Sequence, residues 1–159
     1  MAAPCQLAVL DARVLADSPA DVSKALAVHW PALGSVVLVT SDHGMPFPRV
    51  KGDQYENANH IPMAMLWKGK MTAENRKVDD YVSFIDLAPT FLDAAGVEWR
   101  TSGMHPAAGK SLMHIIASGE SGQIEPERDF VLVGKERHDP GRPGDVGYPI
   151  RGIHKNNML

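Results

Sequence analysis

Apolar residues come in short bursts along this chain, and the bursts differ in kind. Val36-Val37-Leu38-Val39 is continuous, rich in β-branched residues and too short for a helix. It predicts a strand buried on both faces of a parallel sheet. Ile61–Trp67 is a second run. Pro62 has no amide hydrogen to give to a ladder, so this strand is expected to begin at Met63, with Lys68-Gly69-Lys70 as the turn that ends it. From Val82 to Gly96 the period changes: apolar residues at 84, 85, 87, 88, 91, 92 and 95 fit one helix face. Pro89 suits its first turn and Gly96 its stop. Upstream, Ser18-Pro19 reads as a helix start, Val22, Leu26 and Trp30 follow at helical spacing, and Pro31 and Gly34 end the element.

The remaining segments are weaker. Met1–Ser18 has no firm pattern, Lys77–Tyr81 is a short extended piece, and Trp99–Gly109 is a turn-rich surface loop. Ser111–Ala117 predicts a short helix stopped by Gly119. Asp129–Lys135 predicts a strand with Phe130, Leu132 and Val133 buried. A polar loop from Glu136 to Gly147, with three glycines and two prolines, separates it from the alternating Tyr148–Ile153. A helix that leads into the Val36–Val39 strand is an α–β step, and the expected class is α/β.

Composition narrows the function classes. The 159 residues suffice for one domain with a real core, and 44% apolar with 22% charged residues is the balance of an ordinary globular protein. A formal charge of −3 leaves no basic footprint for nucleic acid. No run reaches the roughly 18–20 apolar residues of a membrane span. The single Cys5 cannot form an internal disulfide, and the first residues lack the basic n-region of a signal peptide.

Candidate chemistry gathers where the first strand stops. Thr40-Ser41-Asp42-His43-Gly44 follows it, and Pro46 and Pro48 rule out a helix directly afterwards. An acid and an imidazole therefore share a loop at the carboxyl end of an interior strand, the edge where open α/β sheets bind ligands. Both side chains are usable metal ligands. Lys51 lies eight residues past His43 and is a natural partner for an anion; Gly52, Tyr55 and Glu56 follow. Asp86, in a helix's first turn, is expected to complement the helix dipole rather than to do chemistry.

The strand, Ser41-Asp42-His43-Gly44, the Met-Pro-Phe-Pro continuation, Lys51-Gly52 and Tyr55-Glu56 resemble the second metal-binding segment of the sulfatase family. The likeness is strongest to the branch with bacterial sulfatases and heparan N-sulfatases, within the alkaline-phosphatase-like superfamily. The Asp86–Gly96 helix matches the family's Asp-Leu-x-Pro-Thr-x-Leu helix. The resemblance implies a partial sulfatase fold: a mostly parallel sheet flanked by helices, then the start of an antiparallel C-terminal subdomain. The corresponding division is a poorly matched 1–34, an α/β portion over 35–125 and a C-terminal portion over 126–159.

The resemblance also implies roles. Asp42 and His43 match ligands of a bound Ca²⁺, and Lys51 matches the residue that holds the sulfate and leaving-group oxygens. Arg137 and His138, with Arg151, are placed near the pocket rim, where they would contact an acidic or sugar substrate. The implied partner is a sulfated small molecule or glycan, attacked by a formylglycine made from the cysteine of a Cys-x-Pro-Ser-Arg segment. No such segment is present, since Gln6-Leu7-Ala8 follows Cys5, and the first acidic ligand pair is absent. The expectation is a sulfatase fragment, inactive alone and prone to self-associate through an incomplete sheet. Two alternatives stand beside it. One is a phosphodiesterase- or phosphomutase-like hydrolase with two transition metals, and the other is a degenerate, non-catalytic domain.

Overall fold

The computed structural model describes residues 7–9, 36–67, 69–73, 75–136, 143–147, 149–156 and 158. The expected helix after Ser18 lies outside them. The described residues fall into two compact units interleaved along the chain, one within Met1–Val39 and Met63–Pro126, the other within Thr40–Pro62 and Glu127–Leu159. The α/β class holds.

The first unit carries a three-stranded sheet of β1 (Leu7–Val9), β2 (Val36–Thr40) and β3 (Met63–Trp67), in that order. β1 runs parallel to β2, with Leu7 opposite Val36 and Val9 opposite Leu38. The expectation of a mostly parallel sheet is wider than this one registered strand pair. Successive strand residues point to opposite faces, so Val36 and Val37, each 3% exposed, show that the start of β2 is covered on both sides. Its later residues are half-buried. Val36 and Trp67 join Leu112, Ile115 and Ile116 in the core, and Met65, Leu87 and Phe91 pack around them.

Helix α2 occupies Leu87–Ala95, after a 3₁₀ turn at Phe84–Asp86. Gly96 ends it in the left-handed conformation, φ 69°, which a residue without a Cβ enters freely. The Gly96 amide donates to Asp93 O at 3.0 Å and the Val97 amide to Leu92 O at 2.9 Å. One expectation fails: Phe84 and Ile85 are exposed, because the tighter 3₁₀ turn rotates them off the helix face. The buried residue of that turn is Asp86. Its Oδ2 accepts the Ser83 amide at 3.0 Å and its Oδ1 the Lys110 amide at 2.8 Å. Fully buried Thr90 extends the network, donating to Asp86 O at 2.6 Å and accepting the Leu112 amide at 2.9 Å.

Helix α3 (Met113–Ala117) ends on Arg76, whose guanidinium donates to Ile116 O at 3.0 Å and Glu120 O at 2.9 Å. A cation at a helix C-terminus also complements the dipole. Asp80, buried, accepts the Ile124 amide at 2.9 Å and the Glu125 amide at 2.6 Å.

The second unit contains a long excursion, with the single-turn helix α1 (Glu56–Asn59), and an antiparallel hairpin of β4 (Phe130–Lys135) and β5 (Ile150–Lys155). Asp129 pairs with Lys155 and Glu136 with Arg151 across the hairpin's two ends. The facing of β4 corrects an expectation: Phe130 and Leu132 are exposed, while Val131 and Val133 are half-buried. Phe-Val-Leu-Val is apolar on both faces, so alternation does not choose between them. A one-residue shift of register exchanges the faces completely.

Candidate functional site

Polar atoms at the end of β2 lock the Asp42–His43 loop. The Ser41 hydroxyl donates to His43 O at 2.7 Å. His43 Nδ1 lies 2.6 Å from Gly44 O. A carbonyl oxygen only accepts, so Nδ1 carries the hydrogen; when the ring is neutral, its lone pair is then on Nε2. That nitrogen sits 3.5 Å from Asp42 Oδ2. The Asp42 side chain is 86% exposed and that of His43 37%. Asp42 has no other hydrogen bond or ion pair among the described residues.

The Asp42 carboxylate and His43 Nε2 thus face the same small volume. Adjacent ligands on a cation bound at 2.3–2.6 Å, at right angles, stand roughly 3.3–3.7 Å apart, and the observed pair falls within that range. The ligand count does not reach a complete shell. No group of three or more His, Cys, Asp or Glu among the described residues is placed to hold a metal, and Ca²⁺ takes about six to eight oxygens. Asp42 and His43 fit two positions of such a shell and no more.

Gly44 is required by packing. A Cβ there would lie 2.3 Å from Asn57 O and 2.7 Å from Val50 Cγ1, and the Gly44 amide donates to Ala58 O at 3.2 Å. The backbone next to His43 therefore packs directly against α1 (Glu56–Asn59). The Thr40 hydroxyl donates to Pro62 O at 2.9 Å and closes the excursion at its base.

Lys51 stands in a tight turn. The Asp53 amide donates to Val50 O at 3.1 Å, with Gly52 at φ 80° in the third position, the conformation of a type II turn. The lysine–glycine order thus has a backbone reason. Lys51 is exposed and makes no hydrogen bond or ion pair among the described residues, including none with Asp42. The structure joins Asp42 to His43 and leaves the ammonium unengaged. Arg137 and His138 lie outside the described residues. Arg151 is committed to its own hairpin, through Glu136 and Ile150 O at 2.9 Å. Glu56 opens α1 and pairs with His60 at 3.2 Å. Two residues not singled out from sequence, Lys135 and His154, reach the backbone beside Lys51.

The acid–imidazole pair lies at the carboxyl end of β2, the edge where open α/β sheets bind ligands, with Lys51 on the loop that follows. Comparison with known proteins adds a family likeness. Residues 33–97 match the family model described as Sulfatase. Arylsulfatase K of Xenopus laevis is 31% identical over 94 residues, covering 57% of this chain and 16% of that protein. The uncharacterized sulfatase YdeN of Escherichia coli K12 is 37% identical over 73 residues, covering 40% of this chain and 13% of that one. The solved structure of BT4656, in complex with its substrate D-glucosamine-2-N,6-O-disulfate, superposes with a TM-score of 0.59. It covers 86% of this chain and 26% of BT4656 at 20% identity, a likeness of fold. Over residues 33–97 the chain is similar to the sulfatase family. It spans a small part of the length of these relatives.

Proposed function

We propose that this chain supplies the cation-and-sulfate half of a sulfuric ester hydrolase site, acting on a sulfated small molecule or glycan. The observation that carries this reading is the Asp42 Oδ2 to His43 Nε2 separation of 3.5 Å, with the ring tautomer fixed by Gly44 O. Asp42 and His43 would hold a divalent cation, Ca²⁺ by family likeness, which supplies Lewis-acid charge beside the ester. Lys51 would place a fixed positive charge on the sulfate oxygens, where its unpaired ammonium is free to approach them. The formylglycine nucleophile and the remaining ligands must be supplied from outside these 159 residues, which contain no Cys-x-Pro-Ser-Arg segment. The chain alone is expected to turn over no aryl sulfate.

Titration of the full chain with Ca²⁺, followed by NMR of the His43 ring protons, tests the cation pair. Weak binding, on the order of millimolar, should shift them in the parent and not in Asp42→Asn. No ring shift at saturating Ca²⁺ overturns the Ca²⁺ assignment. The imidazole donor gives the transition-metal reading a foothold: a response to Zn²⁺ or Mn²⁺ alone would favour the phosphodiesterase-like alternative.

A further inference from the structure

Lys51 has no partner of its own among the described residues, so its position depends on the backbone that carries it. That backbone is gripped from the hairpin at two carbonyls. The Lys135 ammonium, at the end of β4, donates to Gly52 O. His154, buried on β5, brings Nε2 to 3.4 Å from Gln54 O. The register sets Lys135 opposite Ile150 and His154 opposite Val131, so the two grips come from opposite ends of the hairpin. Gln54 is 9% exposed, and its Oε1 is buried without a donor, so its own side chain does not explain how the segment is held.

A half-buried ammonium and a buried imidazole are poor choices for packing alone, because each must be compensated by an acceptor. Here the acceptors include Gly52 O and Gln54 O, one and three residues after Lys51. We infer that Lys135 and His154 are positioning residues for Lys51. By holding Gly52 O and Gln54 O, they fix the Val50–Asp53 turn and with it the place where the Lys51 ammonium meets a sulfate group. This inference rests on the reading of Lys51 as the sulfate-holding group.

A double-mutant cycle on the full chain tests it, with inorganic sulfate as the probe in chloride-matched buffer and affinity read by NMR titration. Lys51→Met should weaken sulfate binding about tenfold, the loss of one charge-assisted contact. Lys135→Met should weaken it about fivefold in the parent and by less than about 1.5-fold when Lys51 is already Met, because it acts through Lys51. Lys135→Arg, which can still donate to Gly52 O, should restore affinity to within about twofold. His154→Phe in the same cycle should give the same pattern, and it serves if Lys135→Met does not fold. Additive losses would overturn the inference, since Lys135 would then act by its own charge. A folded Lys135→Met with unchanged affinity would also overturn it, and would leave Lys51 in its role. Unchanged affinity in Lys51→Met would overturn the reading of Lys51 itself.

Discussion

Asp86 and Asp42 are the same side chain put to opposite uses. Asp86, 5% exposed, has one oxygen on the Ser83 amide and the other on the Lys110 amide. Asp42 is exposed at the tip of its loop and faces only His43. A carboxylate whose oxygens both accept backbone hydrogens is a fastener. A carboxylate left exposed beside an imidazole is open to a ligand from solvent. Burial and partner identity, not residue type, separate the fastener from the reagent.

Four substitutions probe that contrast, beginning with the largest effect. Asp86→Ala strands two part-buried amides, and at about 1.5–3 kcal/mol for each charged hydrogen bond it should lower stability by about 3–5 kcal/mol in urea unfolding. A loss under about 1 kcal/mol would show that the carboxylate fastens nothing. Gly44→Ala forces a methyl against Asn57 O and should cost about 1–3 kcal/mol. It should also disturb the His43 ring resonances; unchanged resonances would mean that the loop has room to give. Asp42→Asn should move the unfolding midpoint by no more than about 0.5 kcal/mol, as for an exposed side chain, while abolishing the Ca²⁺ response of His43. Marked destabilisation would make Asp42 a second fastener.

The smallest effect on stability is expected from Leu132→Lys. Leu132, 67% exposed on β4, stands opposite exposed Ile153, and Phe130 shares the face. We propose self-association through this apolar strand face. The lysine should lower the sedimenting fraction and leave the unfolding midpoint in place. An unchanged association state would move the sticky surface elsewhere.

What was legible from sequence followed local signals. Val36–Val39 announced β2 by composition, and Pro62 set the start of β3 at Met63. Gly96 marked a helix end because the left-handed conformation is cheap only for glycine. Asp42 and His43 were visible as neighbours at a strand end. Their tautomer was not, because it depends on a ring rotation toward Gly44 O. β1 is only three residues long and α1 is one polar turn, both too short to show a period. Lys135 and His154 were out of reach for another reason: their contacts with Gly52 and Gln54 span 83 and 100 residues of sequence. Contacts at that separation are set by how the chain packs, and no local pattern encodes them.

The bond from the Thr40 hydroxyl to Pro62 O has a consequence for engineering. It joins positions 22 apart, so the intervening chain leaves and returns through one doorway. The entropy of closing such a circuit grows only logarithmically, about 0.6 kcal/mol per doubling of length. A replacement cartridge, longer or shorter and with other reactive groups, would need to match the doorway and the two carbonyls held from the hairpin. New chemistry could be installed here by swapping one cassette, with the two flanking strands left as they are.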